Sequence, residues 1–565
     1  MKNKYIFTFI LIISIPKLIA QTEYPQNYFR NPLEIPIILA GTFGELRTAH
    51  FHSGMDLKTQ QKEGLNVHTA AEGYVSRIKV SNWGYGKALY ITHPNGYTTV
   101  YAHLKKFNKN IEAYIRKNQY RLEKEEIQLF PKKEVLPIQT DEIIAYSGST
   151  GGFIAPHLHF EIRSTKTEKI INPMHFGLIP KDTKKPRINH LRAYAFNDSS
   201  SVNTSNIALP INFKHMASGT YIASEVKAYG KIGFSLNTYD QQDGALNKNG
   251  IYKLEMLVNG KKQFEHKVET FSFDESKYIN LLIDYPYYGE HKRKYQKTYI
   301  HRENKLSTYN RKLGKGEISI EDGKAYQIQI RVSDFVGNIS ELTIPVRGVK
   351  KTPVIMDEKK QTNYYIKKNQ ENSFKINKVK IKFPKNVFYN NLYLDITEKD
   401  SIISIHKPIV PLHKSYTITF DVSAYSKEQK DKMYIASVVK NKYYNYCSTT
   451  KNDSLFSTST RSLGDFKLHS DKNAPIIEKC SFYENQNLSN YHYFSIKVTD
   501  KESGLKKYRG EIDDKWIRME LNVKTNKLTF DFDDIELVKG NHTFSLIAMD
   551  NVGNTRTFTS TFQTK

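Results

Sequence analysis

Ala155-Pro156-His157-Leu158-His159-Phe160-Glu161 alternates polar and apolar side chains over its last five residues. That period predicts an extended strand, in which residues i and i+2 share a face. His157, His159 and Glu161 then project together, and Leu158 and Phe160 turn toward an apolar layer. Neighbouring segments follow the same period. Tyr74-Val75-Ser76-Arg77-Ile78 and Ala88-Leu89-Tyr90-Ile91-Thr92 read as short strands between Gly and Pro turns. One stretch departs from it. Phe107, Ile111, Tyr114 and Ile115 recur at helical spacing, which predicts a helical insertion within about 107–135, after His103.

Two further motifs lie upstream of the strand, His50-Phe51-His52-Ser53-Gly54-Met55-Asp56 and Tyr101-Ala102-His103-Leu104. A Gly-rich turn, Ser147-Gly148-Ser149-Thr150-Gly151-Gly152, leads into it. Paired imidazoles on one strand face suit a divalent transition metal. A catalytic zinc keeps three protein ligands and leaves one position for water, which two His and one Asp would satisfy. More than three imidazoles are present, so some must do other work, taking a proton or stabilising a developing oxyanion. His50 shares a face with His52 if that segment is extended. Arg47 has the chemistry to bind a substrate carboxylate. Glu161, on the face of the paired imidazoles, can orient one of them. His68 and His93 belong to ordinary strand-turn stretches. There is no HExxH helix and no G-x-S-x-G elbow, which sets aside the helical zinc-protease plan and the nucleophilic-serine plan.

The chain around these motifs is long and basic. Its 565 residues predict three to five domains at about 100–200 residues each. The net charge of +26 calls for an anionic partner such as nucleic acid, a membrane surface or an anionic polymer. Residues 1–20 narrow that choice. Lys2 and Lys4 precede an apolar run from Ile6 to Ile15, and Ala20 offers a small residue for cleavage. This is a signal-peptide pattern, too short for a membrane span, and it argues for export and against nucleic acid. Two cysteines, Cys447 and Cys480, exclude a disulfide-dense scaffold, and their spacing leaves their pairing open.

Beyond Pro186 the sequence reads as β throughout. Strand-like alternation runs into Asp334-Phe335-Val336-Gly337-Asn338 and again into Asp550-Asn551-Val552-Gly553-Asn554. An acidic turn precedes each copy, Asp240 to Gly244 and Asp500 to Gly504. These segments resemble the immunoglobulin-like domains of bacterial surface proteins. The expected organisation is a signal peptide (1–20), a catalytic domain (21–185), an immunoglobulin-like sandwich with an insertion around 274–309 (186–349), a basic linker (350–373), a β-module (374–470) and a second immunoglobulin-like sandwich (471–565). The stretch from Lys350 to Lys385 holds eleven Lys against Asp357, Glu358 and Glu371.

The three N-terminal motifs together resemble the LytM/lysostaphin-type zinc metallopeptidases. His52-Ser53-Gly54-Met55-Asp56 matches that family's H-x-G-x-D, Tyr101 to Leu104 its Tyr-x-His-Leu, and Ser147 to Gly151 with His157 to Glu161 its last two motifs. Ala155 departs from the family's usual Gly. The resemblance covers roughly residues 40–175. It implies a mainly β protein whose N-terminal antiparallel sheet carries the metal in a groove. It implies one zinc per chain on His52, Asp56 and His159, with His157 as general base and His103 as transition-state stabiliser, roles that are open to exchange. It implies an exported endopeptidase acting on bacterial cell-wall peptidoglycan, periplasmic, envelope-associated or secreted. Two other classes stay open, a non-catalytic regulator of wall hydrolases and a surface binding or scaffolding protein.

Overall fold

The computed structural model describes residues 24–152, 155–217, 219–352, 361–440 and 443–565. The signal pattern of residues 1–20 lies outside them. The protein is mainly β, and no helix among the described residues is long and apolar enough to cross a membrane.

His157–Ser164 is the central strand of the N-terminal sheet. It runs antiparallel between Met55–Lys58 and Tyr97–Ala102. The sheet continues outward through Ala88–Thr92 and Gly73–Val80 to Ile127–Leu129, and on the other side ends at Leu39–Gly41. The alternation explains the placement. Leu158, Phe160 and Ile162 join Met55, Leu57, Leu89, Ile91 and Tyr101 in one buried apolar layer, and the opposite face holds the histidines. A smaller sheet of Asn66–His68, Ile143–Tyr146 and Lys106–Phe107 packs alongside.

The insertion forms a helix, Lys109–Leu122. The Asn108 side chain accepts from the Ile111 N–H and caps its start. Ile111, Ile115 and Gln119 form its buried face. Phe107 falls just outside the helix, in the strand that precedes it.

Three further apolar cores follow along the chain. They are built around residues 188–346, 366–466 and 482–562. The last two are each enclosed by two sheets. The N-terminal sheet does not end cleanly at the first of them. Ile170 and Ile171 pair with Phe271 and Thr270, and Phe43, Phe51 and Ile170 lie in the core of the following module.

Two expectations are corrected. The segment beyond Pro186 is not β throughout: Phe273–Ser276, Ile279–Leu282, Tyr285–His291 and Lys427–Lys432 are short helices. Side chains of Ser272, Asp284 and Ser426 cap three of them, a local signal that outweighs the β context. The basic linker is also shorter than 350–373. Tyr364–Ile366 and Asn372–Ile376 are strands, and Ile366 is buried in the module core. Lys351 and Lys367 are exposed, and the run of lysines in the sequence masks the apolar side. Residues 353–360 lie outside the described residues. Cys447 and Cys480 are free thiols in separate modules.

Candidate metal centre

Strand register assembles the centre. His159 stands directly opposite Asp56 on one neighbour and Ala102 on the other, which brings His103 in at the end of that strand. His52 precedes Asp56 by four residues and folds over it. Gly54, between them, passes so close to the central strand that a Cβ there would lie 2.4 Å from the Phe160 carbonyl.

Three donor atoms converge. His52 Nε2 lies 3.0 Å from Asp56 Oδ1 and 3.1 Å from His159 Nδ1, and the latter two are 2.9 Å apart. Tetrahedral ligands held about 2.0–2.1 Å from a zinc are about 3.3 Å from one another, so the triangle has the right size. The tautomers fit as well. The other ring nitrogen of each His faces an acceptor: His52 Nδ1 donates to the Thr42 carbonyl at 2.7 Å and His159 Nε2 to Glu161 at 2.8 Å. A carbonyl only accepts, so the proton sits on the outer nitrogen and the inner lone pair faces the other ligands. Asp56 is drawn well below the usual carboxylate range: burial pushes its carboxyl up, but His52 and His159 outweigh it. Burial disfavours a charged His159, yet its bonds to Asp56 and Glu161 hold it at about 9 in the metal-free protein.

The remaining two histidines stand beside this triangle. His157 Nε2 is 3.6 Å from Asp56 Oδ1, and its Nδ1 donates to the Ala155 carbonyl at 2.9 Å. His103 Nδ1 donates to the Thr150 carbonyl at 2.9 Å. The two rings are 4.8 Å apart, centroid to centroid. Burial lowers His157, and burial with the neighbouring His159 and His157 lowers His103 to about 3. Both are neutral, with the Nε2 lone pair as the proton acceptor. His103 is held at φ 60°, a left-handed conformation costly for a residue with a Cβ. Bonds from its backbone N–H to the Tyr85 carbonyl and from Nδ1 to Thr150 keep it there.

Several expected positions resolve differently. His50 is exposed, with its ring bonded to the Thr48 carbonyl; a tight turn closed by the Leu46–Phe51 bridge replaces the extended segment that would have aligned it with His52. Arg47 is committed to Asp56 Oδ2 at 3.2 Å and to Glu45 at 3.4 Å. His93 is buried between the Glu72 carbonyl and Thr99, and His68 bonds to Asp141. Glu161 does orient His159. It also accepts from Ser53 and Tyr85 and pairs with Arg163 at 2.6 Å. Arg163 was readable, since it is the next residue on the face of His157, His159 and Glu161. Tyr85 and Glu45 carry no sequence signal.

The central strand thus supplies His159 to a His/Asp/His triangle able to hold a metal ion and sets His157 beside it. Residues 50–120 match the model of Peptidase family M23, and the chain carries a domain of that family. Residues 363–471 match a Zu5-like domain. A DD-carboxypeptidase/endopeptidase Mpg of Neisseria meningitidis serogroup B is 33% identical over 118 residues, 21% of each chain. The counterpart from Neisseria gonorrhoeae is 32% identical over the same length. This chain thus spans about a fifth of the length of these relatives. Among solved structures, the catalytic domain of lysostaphin from Staphylococcus simulans is 24% identical, covering 24% of this chain and 87% of that one (TM-score 0.18). A zinc-containing peptidase from Vibrio cholerae is 22% identical, covering 27% and 38% (TM-score 0.18).

Proposed function

We propose that this protein is an exported zinc metalloendopeptidase that hydrolyses peptide bonds of bacterial cell-wall peptidoglycan. The observation that carries the reading is the His52, Asp56 and His159 donor triangle with two neutral imidazoles beside it. His52 Nε2, Asp56 Oδ1 and His159 Nδ1 would hold the zinc. Bound there, it supplies Lewis acidity and a water acidified toward neutrality. The chain's own groups handle the proton. His157 takes it at Nε2, since Nδ1 is committed to Ala155. His103 has the same polarity, so it stabilises an oxyanion only after taking a proton at Nε2. Their proximity lets the two share the proton and return it to the departing amine. The relatives' endopeptidase activity and the M23 match support the reaction class. Export rests on the signal pattern of residues 1–20, and puts the enzyme in the periplasm, on the envelope or outside the cell. The basic surface favours an anionic envelope.

The test is direct. Purified chain should hold about one zinc and release soluble fragments from isolated cell walls, with mass spectrometry naming the bond. Unchanged release by His159→Ala overturns the proposal. A regulator or scaffold would release nothing even when loaded with zinc.

A further inference from the structure

Far from the metal triangle, Asp182, Asp240 and Asp334 each place one carboxylate oxygen within 4.8 Å of the others. They come from three separate segments: the connection leaving the peptidase domain, the end of a long strand, and the first D-x-V-G-N turn. They line a small cavity of about 20 Å³, together with Gln242, Thr42, Asn172 and Tyr252. That is room for about one water-sized sphere. None of the three acids makes an ion pair among the described residues. Lys184, whose charge acts on Asp182 and Asp240, is engaged with the Gln242 carbonyl at 3.0 Å.

A cluster of acids alone is not a site, but two buried atoms point at a ligand. Gln242 is 2% exposed, and its Oε1 has no hydrogen-bond partner among the described residues. Asp240 is 3% exposed, and its Oδ1 has none either. Both line the cavity. A buried oxygen without a partner is costly, so two on one cavity call for a group that donates to them or is coordinated by them. Burial and the adjoining carboxylates lift Asp240 to about 8, the expected strain of a site built for a cation.

We propose that Asp182, Asp240, Asp334 and Gln242 bind a calcium-class divalent cation that fastens the peptidase domain to the first β-module. The donors are all oxygen, which suits a hard ion and not zinc. Oxygens bound to one calcium at about 2.4 Å each lie no more than about 4.8 Å apart, and the three carboxylate oxygens fall inside that limit. Asp334 is already fixed in place. Its Oδ1 accepts from the Gly337 and Asn338 N–H groups, and Oδ2 accepts from Asn338 Nδ2 at 2.7 Å. Asn338 Nδ2 also reaches the Asp182 carbonyl at 3.3 Å, tying the two ligands. The last module repeats the plan. Asp471, Asp500 and Asp550 converge, and Asn554 Nδ2 bridges Asp550 Oδ2 at 2.7 Å and the Asp471 carbonyl at 3.1 Å. No oxygen of that triad is buried without a hydrogen-bond partner among the described residues, so the proposal concerns the first triad.

The experiment is isothermal titration of calcium chloride into zinc-loaded full-length chain, with Tm read in parallel. Wild type is expected to bind calcium and gain Tm. Asp240→Asn is expected to bind one equivalent fewer, and to gain less Tm from calcium while keeping its calcium-free Tm, because the amide replaces a carboxyl that is mostly neutral without the cation. Asp182→Asn, on the more exposed ligand, gives a second reading if Asp240→Asn does not fold and should weaken the site about tenfold or more. Equal calcium equivalents and an equal calcium-dependent Tm gain in wild type and variants overturn the proposal. So does an absence of calcium binding at millimolar concentration. Wall hydrolysis plays no part in these readouts, so failure of the enzymatic reading leaves this test intact.

Discussion

Glu161 is wholly buried, and four side chains donate to it, which makes it the pivot of the centre rather than a bystander. Burial works against its charge, but Arg163 and His159 hold its carboxyl well below the ordinary range. Glu161→Gln keeps the shape and loses the anion. His159 then loses the partner that fixes its tautomer, and Arg163 is left with Glu168 at 3.3 Å. The expected result is about 10–100-fold weaker zinc affinity, read by chelator competition. Breaking the buried pair should also cost about 3–5 kcal/mol in urea unfolding. The neighbouring histidines separate ligation from proton transfer. His157→Ala and His103→Ala should keep full zinc content and lose about 10²–10⁴ in kcat, whereas His159→Ala loses both. Equal zinc loss in all three variants would show that the proposed division of roles is wrong. The residues of the triangle were legible through the resemblance carried by H-x-G-x-D and H-x-H; the strand period alone gave the shared face of His157 and His159. Tyr85 was not, because it reaches Glu161 from a loop 76 residues away in sequence.

At the scale of elements, alternation along His157–Ser164 predicted its faces because a strand's period is fixed by its backbone. The same rule failed at His50, where a turn with Ala49 at φ 59° breaks the period. It also missed the short strand Tyr364–Ile366, whose one buried position, Ile366, is too sparse to stand out. Gly54 shows what two elements demand of one position. A methyl there would meet the Phe160 carbonyl at 2.4 Å and the His159 ring at 3.0 Å. Gly54→Ala should therefore push the ligand strands apart, costing about 1–3 kcal/mol and lowering zinc affinity. The hairpin joining Ala88–Thr92 to Tyr97–Ala102 carries a pH-dependent element. Burial holds His93 neutral, down at about 4 against 6.5 for the free side chain. Above pH 6.5 neither state is protonated and this residue adds no slope. Between pH 6.5 and 4 the unfolded chain takes up the proton and the folded one does not, so stability falls as pH falls. The loss reaches about 3 kcal/mol by pH 4. Urea midpoints across that window should show a shallower slope in His93→Gln; an identical slope would assign the acid sensitivity elsewhere.

Across the whole molecule, the last module folds back onto the first domain. Trp516 packs edge-on against Tyr120 of the insertion helix, and Arg518 reaches Glu112 and Gln119 on its flank. Lys87, whose N–H bonds the Thr150 hydroxyl, pairs with Glu520 at 2.8 Å, and Lys524 donates to the Ser149 carbonyl. Thr150 is the residue whose carbonyl holds His103, so the C-terminal module braces the loop that positions a histidine proposed to be catalytic. No sequence pattern announced this, because the contacts join residues about 375–430 apart. Arg518 is the point to probe. It forks onto Asp534 at 2.6 and 2.9 Å, and the Asp534 side chain has no exposure. Arg518→Met leaves that carboxylate with Arg116 at 3.1 Å, outside the module's own sheets. The expected cost is about 3–5 kcal/mol, enough to loosen the module from the helix. Limited proteolysis should then cut within Lys109–Leu122, kcat should fall, and zinc content should stay at wild type. A rise in kcat would mean instead that the docked module shields the groove, and an unchanged kcat with a protease-sensitive helix would mean that His103 keeps its place through Tyr85 alone.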